Sequence, residues 1–348
     1  MTDRAGLLAA VASTIEDYRL GEIPPPTPSH VDRWIQQFAP QVQIPLLREV
    51  QHVLSQTYLS RSTVKSFFAG QIKHLPLVGV SPCTFWRNAH LLDIQKQGHS
   101  QADILKLFRE AVTAECGHQL GQVGTGDGAY VYLDDVLFSG SRIGNDLSAW
   151  IAESAPKRSI VHVLVMATHR FGEWKCRTRL EDEAKKAGKH IELHFWAAIR
   201  VENRRARRDV SEVLWPATLP DDVLVTDYLK SESRFPFEPR TPGAMPQDSP
   251  FSSAEHRALL EQEMLLAGLR IRSFCKAPKS VVRPLGFSPF GLGFGSMIVT
   301  YRNCPNNTPL ALWWGDPSAQ PASPLSRWYP LLPRKTYSQG SPFDVIEF

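Results

Sequence analysis

The 348-residue chain is 43% hydrophobic and 21% charged, with a formal net charge of +4. That is enough for one large core, or for one core and a smaller appended unit. The charge is too small to argue for nucleic acid by itself, and no run of about 18 apolar residues exists to span a membrane. The five cysteines and eleven histidines show no metal-ligand spacing. An odd number of scattered cysteines in a chain of this size reads as reduced thiols in a cytoplasmic protein.

Met1 to Leu20 reads as a short amphipathic helix without the basic start, long apolar centre or small-residue cleavage site of a secretion signal. The prolines at 24, 25, 26 and 28 break the chain. From His30 to about Lys73 the pattern is helical, with Trp34, Phe38, Leu46, Leu47, Val50, Val53 and Leu54 at three- and four-residue intervals. Val64, Phe67 and Phe68 continue it. Leu59 to Ile72 has the length of a helix-turn-helix but no basic face, so packing helices are the better reading.

After a helix over Ala102 to Ala114 the rhythm changes. A glycine-rich passage (Gly117, Gly121, Gly124, Gly126, Gly128) leads into Ala129 to Leu133, an apolar run fit for a buried strand. A turn follows, then a helix in which Ile143, Leu147, Trp150 and Ile151 share a face. Ile160 to Ala167 reads as a strand, Glu173 to Ala187 as a helix stopped by Gly188, and Ile191 to Ile199 as a third strand. This alternation predicts an α/β fold with a parallel sheet and right-handed crossovers.

From Lys230 to Pro250 the composition shifts to Pro, Ser and Arg, a loop or linker. A helix around Ala254 to Ala267 is expected next, then strands at Met297 to Tyr301 and Leu310 to Trp314 with a turn at Asn306 and Asn307. Gly291, Gly293 and Gly295 precede no helix, which rejects a dinucleotide fingerprint. The expected division is a helical N-terminal section (1–75), an α/β core (76–230), a linker or loop (231–252), and a C-terminal α+β subdomain packing on the core (253–348).

The chemistry is expected in Tyr130 to Arg142, Y-V-Y-L-D-D-V-L-F-S-G-S-R. An apolar strand ends in two carboxylates, Asp134 and Asp135, and a turn of small residues leads into a helix. Such a turn lies at the C-terminal edge of a parallel sheet, where open α/β folds bind ligands. The helix N-terminus suits a phosphate, Gly140 permits close backbone approach, and Ser139 and Ser141 add hydroxyls. The carboxylates can accept hydrogen bonds from vicinal ribose hydroxyls, and magnesium held through a pyrophosphate group is the natural companion. The alternative is an Asp-Asp surface turn with a serine N-cap.

These residues resemble the phosphoribosyl pyrophosphate motif of type I phosphoribosyltransferases: apolar strand, two acids, three variable residues, Ser/Thr-Gly, one variable residue, Ser/Thr. Asp134 and Asp135 match the acids, and Ser139 with Gly140 the hydroxyl-glycine step. Arg142 stands where the family carries a hydroxyl, a departure that an arginine-phosphate pair accommodates. The helical N-terminal section, the motif, P-N-N-T-P-L-A-L-W-W (Pro305 to Trp314) and R-W-Y-P-L-L-P-R (Arg327 to Arg334) together are similar to the phosphoribosyltransferase-like family of bacterial conflict systems, PRTase-CE. That resemblance implies a type I phosphoribosyltransferase-like core and an effector role in anti-phage loci, including retrons. A partner protein or its nucleic acid would control it.

Weaker signals remain. Arg200, Arg204, Arg205, Arg207 and Arg208 form either a clamp for pyrophosphate or nucleic acid, or a solvated loop neutralised by Glu202, Asp209 and Glu212. Thr168, His169 and Arg170 follow the second strand and either face the ribose or leaving group, or simply end the strand. Lys96, His99 and Ser100 are a candidate pyrophosphate loop. Trp313, Trp314, Trp328 and Tyr329 make either a base-stacking lid or a packed C-terminal subdomain. Three functions compete: an enzyme acting at ribose C1 on phosphoribosyl pyrophosphate or a related nucleotide, a non-catalytic nucleotide sensor or partner-binding module using the same pocket, and a scaffold with a dead pocket. No metal bound by protein ligands alone is expected.

Overall fold

The structure, a computed structural model, describes residues 3–95, 100–117, 128–232, 236–289 and 291–334. In chain order the helices and strands are α1 (Arg4–Thr14), α2 (Pro28–Ile35), α3 (Pro40–Thr57), β1 (Tyr58–Leu59), α4 (Arg61–Ile72), α5 (Leu75–Val78), α6 (Pro82–Asn88), β2 (His90–Leu92) and α7 (Ser100–Cys116). They continue with β3 (Tyr130–Leu133), β4 (Val136–Leu137), α8 (Ser141–Glu153), β5 (Arg158–His169), α9 (Arg170–Lys186), β6 (His190–Val201), α10 (Val223–Ser231), α11 (Ala254–Ser273), β7 (Val299–Thr300) and α12 (Leu310–Trp313). Local chemistry explains several ends. Thr27 caps α2 by accepting from the His30 N–H, with Pro28 at the first helical position, and Ser253 caps α11 by accepting from His256.

The chain forms two compact units. The first joins residues 1–60 to 203–348; the second is 61–202. In the first, Leu46, Val50 and Leu54 of α3, Leu260, Met264 and Leu265 of α11, and Leu310 and Leu312 of α12 belong to one buried core. β1 pairs parallel with β7, Tyr58 opposite Val299 and Leu59 opposite Thr300. Within that core Glu261 is held by two buried arginines: Arg240 Nη2 at 2.9 Å from one oxygen and Arg257 Nε at 2.8 Å from the other.

The second unit carries the parallel sheet. β2 pairs with β3, both β3 and β4 pair with the same edge of β5, and β6 pairs with the other edge. Val161, Val163 and Val165 of β5 face Ile143, Leu147 and Ile151 of α8 and Cys176, Leu180 and Ala184 of α9 in one buried cluster. Phe68, Trp86 and Phe108 stack edge to face in a second aromatic core, with ring centres 5.4 and 4.8 Å apart. The outer edge of β6 is blunted. Arg177 donates to the Leu193 carbonyl at 2.9 Å and Arg200 to that of Phe195 at 2.8 Å, which occupies acceptors that a further strand would use. Among the described residues no helix is long and apolar enough to cross a membrane.

Several expectations are corrected. The N-terminal section is not purely helical and does not stand alone: β1 lies within it, and α1 to α3 share their core with the C-terminal segment. The boundaries expected at 75, 230 and 252 therefore differ from those of the two units, at 60 and 202. Residues 236–252, expected as a linker or loop, hold no helix or strand, and their Arg240 is buried against Glu261. Leu310–Trp313 is a helix, not a strand; Pro309 sets its entry, and a short apolar run carries no period to tell the two apart. Cys83 and Cys116 form a disulfide, with Cα atoms 5.4 Å apart, so the cysteines are not all reduced. α6 and the end of α7 bring together two residues whose separation of 33 is no motif.

Candidate functional site

β3 and β4 are one strand interrupted in name only. Leu133 lies opposite Leu164 and Val136 opposite Ala167, an unchanged register. Between them the ladder continues: the Asp134 N–H donates to the Leu164 carbonyl at 3.2 Å, and the Met166 N–H to the Asp135 carbonyl at 2.9 Å. The acid pair therefore sits inside the strand, two residues before its end, rather than in the turn beyond it.

The two carboxylates differ. Asp134 is buried and Asp135 only half-buried. Each turns one oxygen to the next amide: Asp134 Oδ1 accepts from Asp135 N at 2.9 Å, and Asp135 Oδ1 from Val136 N at 2.8 Å. Beside Asp134, Tyr132 donates its hydroxyl to Asp146 Oδ2 of α8 at 2.9 Å. Burial first, then the charges of Asp134 and Asp146, hold that phenol well above its ordinary pKa; Arg142 pulls in the opposite sense. Tyr132 is thus a fixed donor that ties the strand to the helix.

The turn is Phe138, Ser139, Gly140. Gly140 adopts the left-handed conformation, φ 72°, and is the N-cap of α8 with no capping side chain. Ser139 and Ser141 hydroxyls lie 3.1 Å apart, and both they and Arg142 are on the surface. The opening of α9 packs directly on this turn. A methyl on Gly172 would overlap the Phe138 carbonyl, with its carbon at 2.8 Å and Leu137 Cδ2 at 3.0 Å. One on Gly140 would meet the Gly172 carbonyl and Cys176 Cβ, the latter at 2.8 Å. Two helix N-termini therefore begin side by side at the C-terminal edge of the sheet, each adding partial positive charge.

Of the second group of expected residues, Thr168 is fully buried at the end of β5, opposite Leu137, and its hydroxyl has no hydrogen-bond partner. His169 is also fully buried. It lies 3.1 Å from the Leu137 carbonyl, with its ring stacked 5.0 Å from Phe138. Because a carbonyl only accepts, Nδ1 is the donor and carries the proton. Burial lowers the pKa to about 4, so the ring is neutral. His169 supports the turn; Arg170 opens α9 and is exposed. Lys96 and His99 of the expected pyrophosphate loop lie outside the described residues, as do Gly121, Gly124 and Gly126. Ser100 is the first residue of α7 rather than a residue before it.

Within the basic cluster, Arg205 and Arg208 share Glu238. Arg200 pairs with Glu173 and the Phe195 carbonyl, while Arg205 pairs with Glu238 and Arg208 donates to the Pro239 carbonyl. Sequence reading missed Asp146, Tyr132 and Gly172. Gly172 lies in the first turn of α9, which the sequence reading began one residue later, at Glu173. Among the described residues no three His, Cys, Asp or Glu side chains are grouped to hold a metal. The donors at this edge are carboxylates, the hard oxygen type that magnesium takes one or two at a time alongside substrate phosphates. They fit a magnesium ion brought by a ligand.

The model of a family described as PRTase-CE matches residues 31–334. No curated protein and no solved structure matches the chain.

Proposed function

We propose, from the premise that this chain belongs to the PRTase-CE family, that the strand-turn-helix from Asp134 to Arg142 binds the ribose-5-phosphate part of phosphoribosyl pyrophosphate or a related nucleotide. The chain carries a phosphoribosyltransferase-like domain, and the observation that supports this use of it is the geometry of the turn. An uncapped helix N-terminus, a left-handed Gly140 and two serines form a cradle that begins at Ser139, four residues after Asp135. The 5′-phosphate would take the α8 amides, Ser139, Ser141 and the Arg142 guanidinium. Half-buried Asp135 is the better placed acid for the ribose hydroxyls. Buried Asp134 sets the local field and holds the turn of the backbone. The unpartnered Thr168 hydroxyl is a further polar group at the same edge.

In the enzyme reading, the bond between ribose C1 and its leaving group breaks, and the departing group keeps the electron pair. An acceptor nucleophile forms the new bond to C1 and loses its proton. Magnesium, when present with a pyrophosphate group, neutralises charge on the leaving oxygens. The chain's own residues position the ribose and phosphate, which in such chemistry supplies much of the rate. A phosphorylated ligand of this kind would support a cytoplasmic location. The resemblance to conflict-system proteins supports an anti-phage effector role, for example beside a retron, with a partner protein or its nucleic acid as the trigger.

One observation favours a sensor instead: Arg142 occupies the place of a hydroxyl, so the phosphate would be held by a charge that releases it slowly. Titrating phosphoribosyl pyrophosphate with magnesium into wild type and Asp134→Asn/Asp135→Asn, while following pyrophosphate, separates the readings. Asparagine keeps the acceptor that the Asp135 amide uses, so the fold is expected to survive. Binding lost in the variant with pyrophosphate released by wild type supports the enzyme; binding without release supports the sensor. Equal binding by both proteins would refute the site.

A further inference from the structure

The first unit, which holds none of the sheet-edge residues from Asp134 to Gly172, carries a cavity of about 580 Å³. Its size is within the range of small-molecule sites. Phe287, Trp313, Trp314 and Tyr329 supply aromatic walls, and the run Pro24–Pro26 closes one side. These tryptophans and Tyr329 are the residues that the sequence left open between a packed subdomain and a base-stacking surface. Packing alone does not account for three features.

The first is Arg19. Among the described residues it is the one non-glycine with positive φ, 50°. A left-handed conformation is unfavourable for an arginine, and such strain gathers at functional positions. The conformation is fixed by a hydrogen bond from the Arg19 N–H to the Tyr301 carbonyl, at 2.6 Å, and Arg19 lines the cavity. Its Nε meets Glu22 at 3.1 Å and Nη1 donates to the Pro333 carbonyl at 2.9 Å, with the side chain only 13% exposed.

The second is the Trp314 indole. The ring nitrogens of Trp34, Trp313 and Trp328 all donate to backbone carbonyls at 2.9 Å. Trp314 also lines the cavity, and its Nε1 is buried with no acceptor. An orphaned buried donor is uncommon in folded proteins and calls for a partner. The third is charge. Arg334 also lines the cavity, its guanidinium carbon 5.5 Å from the Trp313 ring centre. The acid of the lining, Asp316, is turned back on Ser318, accepting from its amide at 2.8 Å and its hydroxyl at 2.6 Å.

We infer that this cavity is a second ligand site, for a nucleoside monophosphate. Its base stacks on the aromatic walls and accepts from Trp314 Nε1, and its phosphate pairs with Arg19 and Arg334. Aromatic faces with an indole donor suit a flat heterocycle that bears acceptors, and two guanidiniums beside them suit its anionic group. The site does not depend on the sheet-edge reading.

The test uses AMP, GMP, CMP and UMP, titrated by calorimetry into the full chain carrying Asp134→Asn/Asp135→Asn. On the proposed sheet-edge reading, that background weakens nucleotide binding there. One-to-one binding of at least one of the four is expected. Adding Arg19→Gly should weaken it by roughly tenfold to a hundredfold, the worth of a charged hydrogen bond. Glycine accepts the positive φ, so this variant keeps its fold, which circular dichroism checks. Adding Trp314→Phe, which keeps a ring and removes the donor, should weaken it by about twofold to tenfold. No binding of any of the four, or unchanged affinity in the Arg19→Gly protein, would overturn the assignment. A failure of the sheet-edge reading would show separately, as unaltered phosphoribosyl pyrophosphate binding in the aspartate variant.

Discussion

Gly172→Ala tests whether the phosphate turn is held by close approach of two backbones. Gly172 lies in the first turns of α9 and has no positive φ. Helix propensity alone would therefore favour alanine by about 1 kcal/mol. The structure reverses the sign. The added methyl would overlap the Phe138 carbonyl, its carbon 2.8 Å away, and press on Leu137 Cδ2 at 3.0 Å. The clash is mainly with backbone, which has no rotamer to escape into, so α9 or the turn must shift. Overpacking typically costs 1–3 kcal/mol, and this case belongs at the upper end, leaving a net loss of about 2 kcal/mol. Gly70→Ala in α4 is the matched control. It lies in the same unit and in a helix, with nothing within 4 Å of its added methyl. It should stabilise by about 0.5–1 kcal/mol. Urea unfolding followed by circular dichroism reads both midpoints, and the Gly172→Ala protein should also bind phosphoribosyl pyrophosphate more weakly because Phe138 to Gly140 is displaced. If Gly172→Ala is as stable as wild type or more so, the interlock does not exist.

Two further outcomes follow from buried charge and buried imidazole. His169 has its pKa lowered from 6.5 to about 4 by burial, so the unfolded chain takes up a proton that the folded chain refuses. Its contribution is complete above pH 6.5 and is lost as pH falls towards 4, on the order of 3 kcal/mol; His169→Phe should flatten that part of the stability profile, and an unchanged slope would contradict the neutral ring. In the first unit, Glu261→Ala leaves Arg240 and Arg257 buried without their carboxylate. A loss of about 3–5 kcal/mol is expected on thermal unfolding, and a loss below about 1 kcal/mol would mean the arginines reach water.

The strand, turn and helix of the site were legible because their signals are local: an apolar run, two acids, a serine-glycine turn and an amphipathic stretch within a few tens of residues. What completes the site was not. Asp146 reads as an ordinary surface acid of a helix, and Gly172 comes from the next crossover, packed against Phe138 by no motif; Thr168 was named only as a strand end, and its place opposite Leu137 comes with the register. The two-unit division was equally hidden. No shift of composition marks residues 60 or 203; what makes the first unit is a core shared by α3, α11 and α12 and the pairing of β1 with β7, contacts made across more than 200 residues of sequence. The Leu310–Trp313 helix was missed for a simpler reason. Four buried apolar residues in a row satisfy either geometry, and tertiary packing decides.

The position of the acid pair inside the strand bears on how the site can work. A carboxylate in a turn must be ordered when the ligand arrives, and that ordering is lost from the binding free energy. Here the peptide groups of Asp134 and Asp135 are fixed before any ligand binds, by ladder hydrogen bonds to Leu164 and Met166 on the neighbouring strand. Each carboxylate is then turned by its bond to the next amide. The segment left to adapt is the short link from Phe138 to Gly140, and His169 and Gly172 grip it from the side. Rigid acids beside a short, braced phosphate turn form a preorganised cradle, in which little conformational entropy remains to be lost. In the proposed use, specificity for the group beyond C1 would then come from elsewhere along the sheet edge, because the acids and the turn are already held in place.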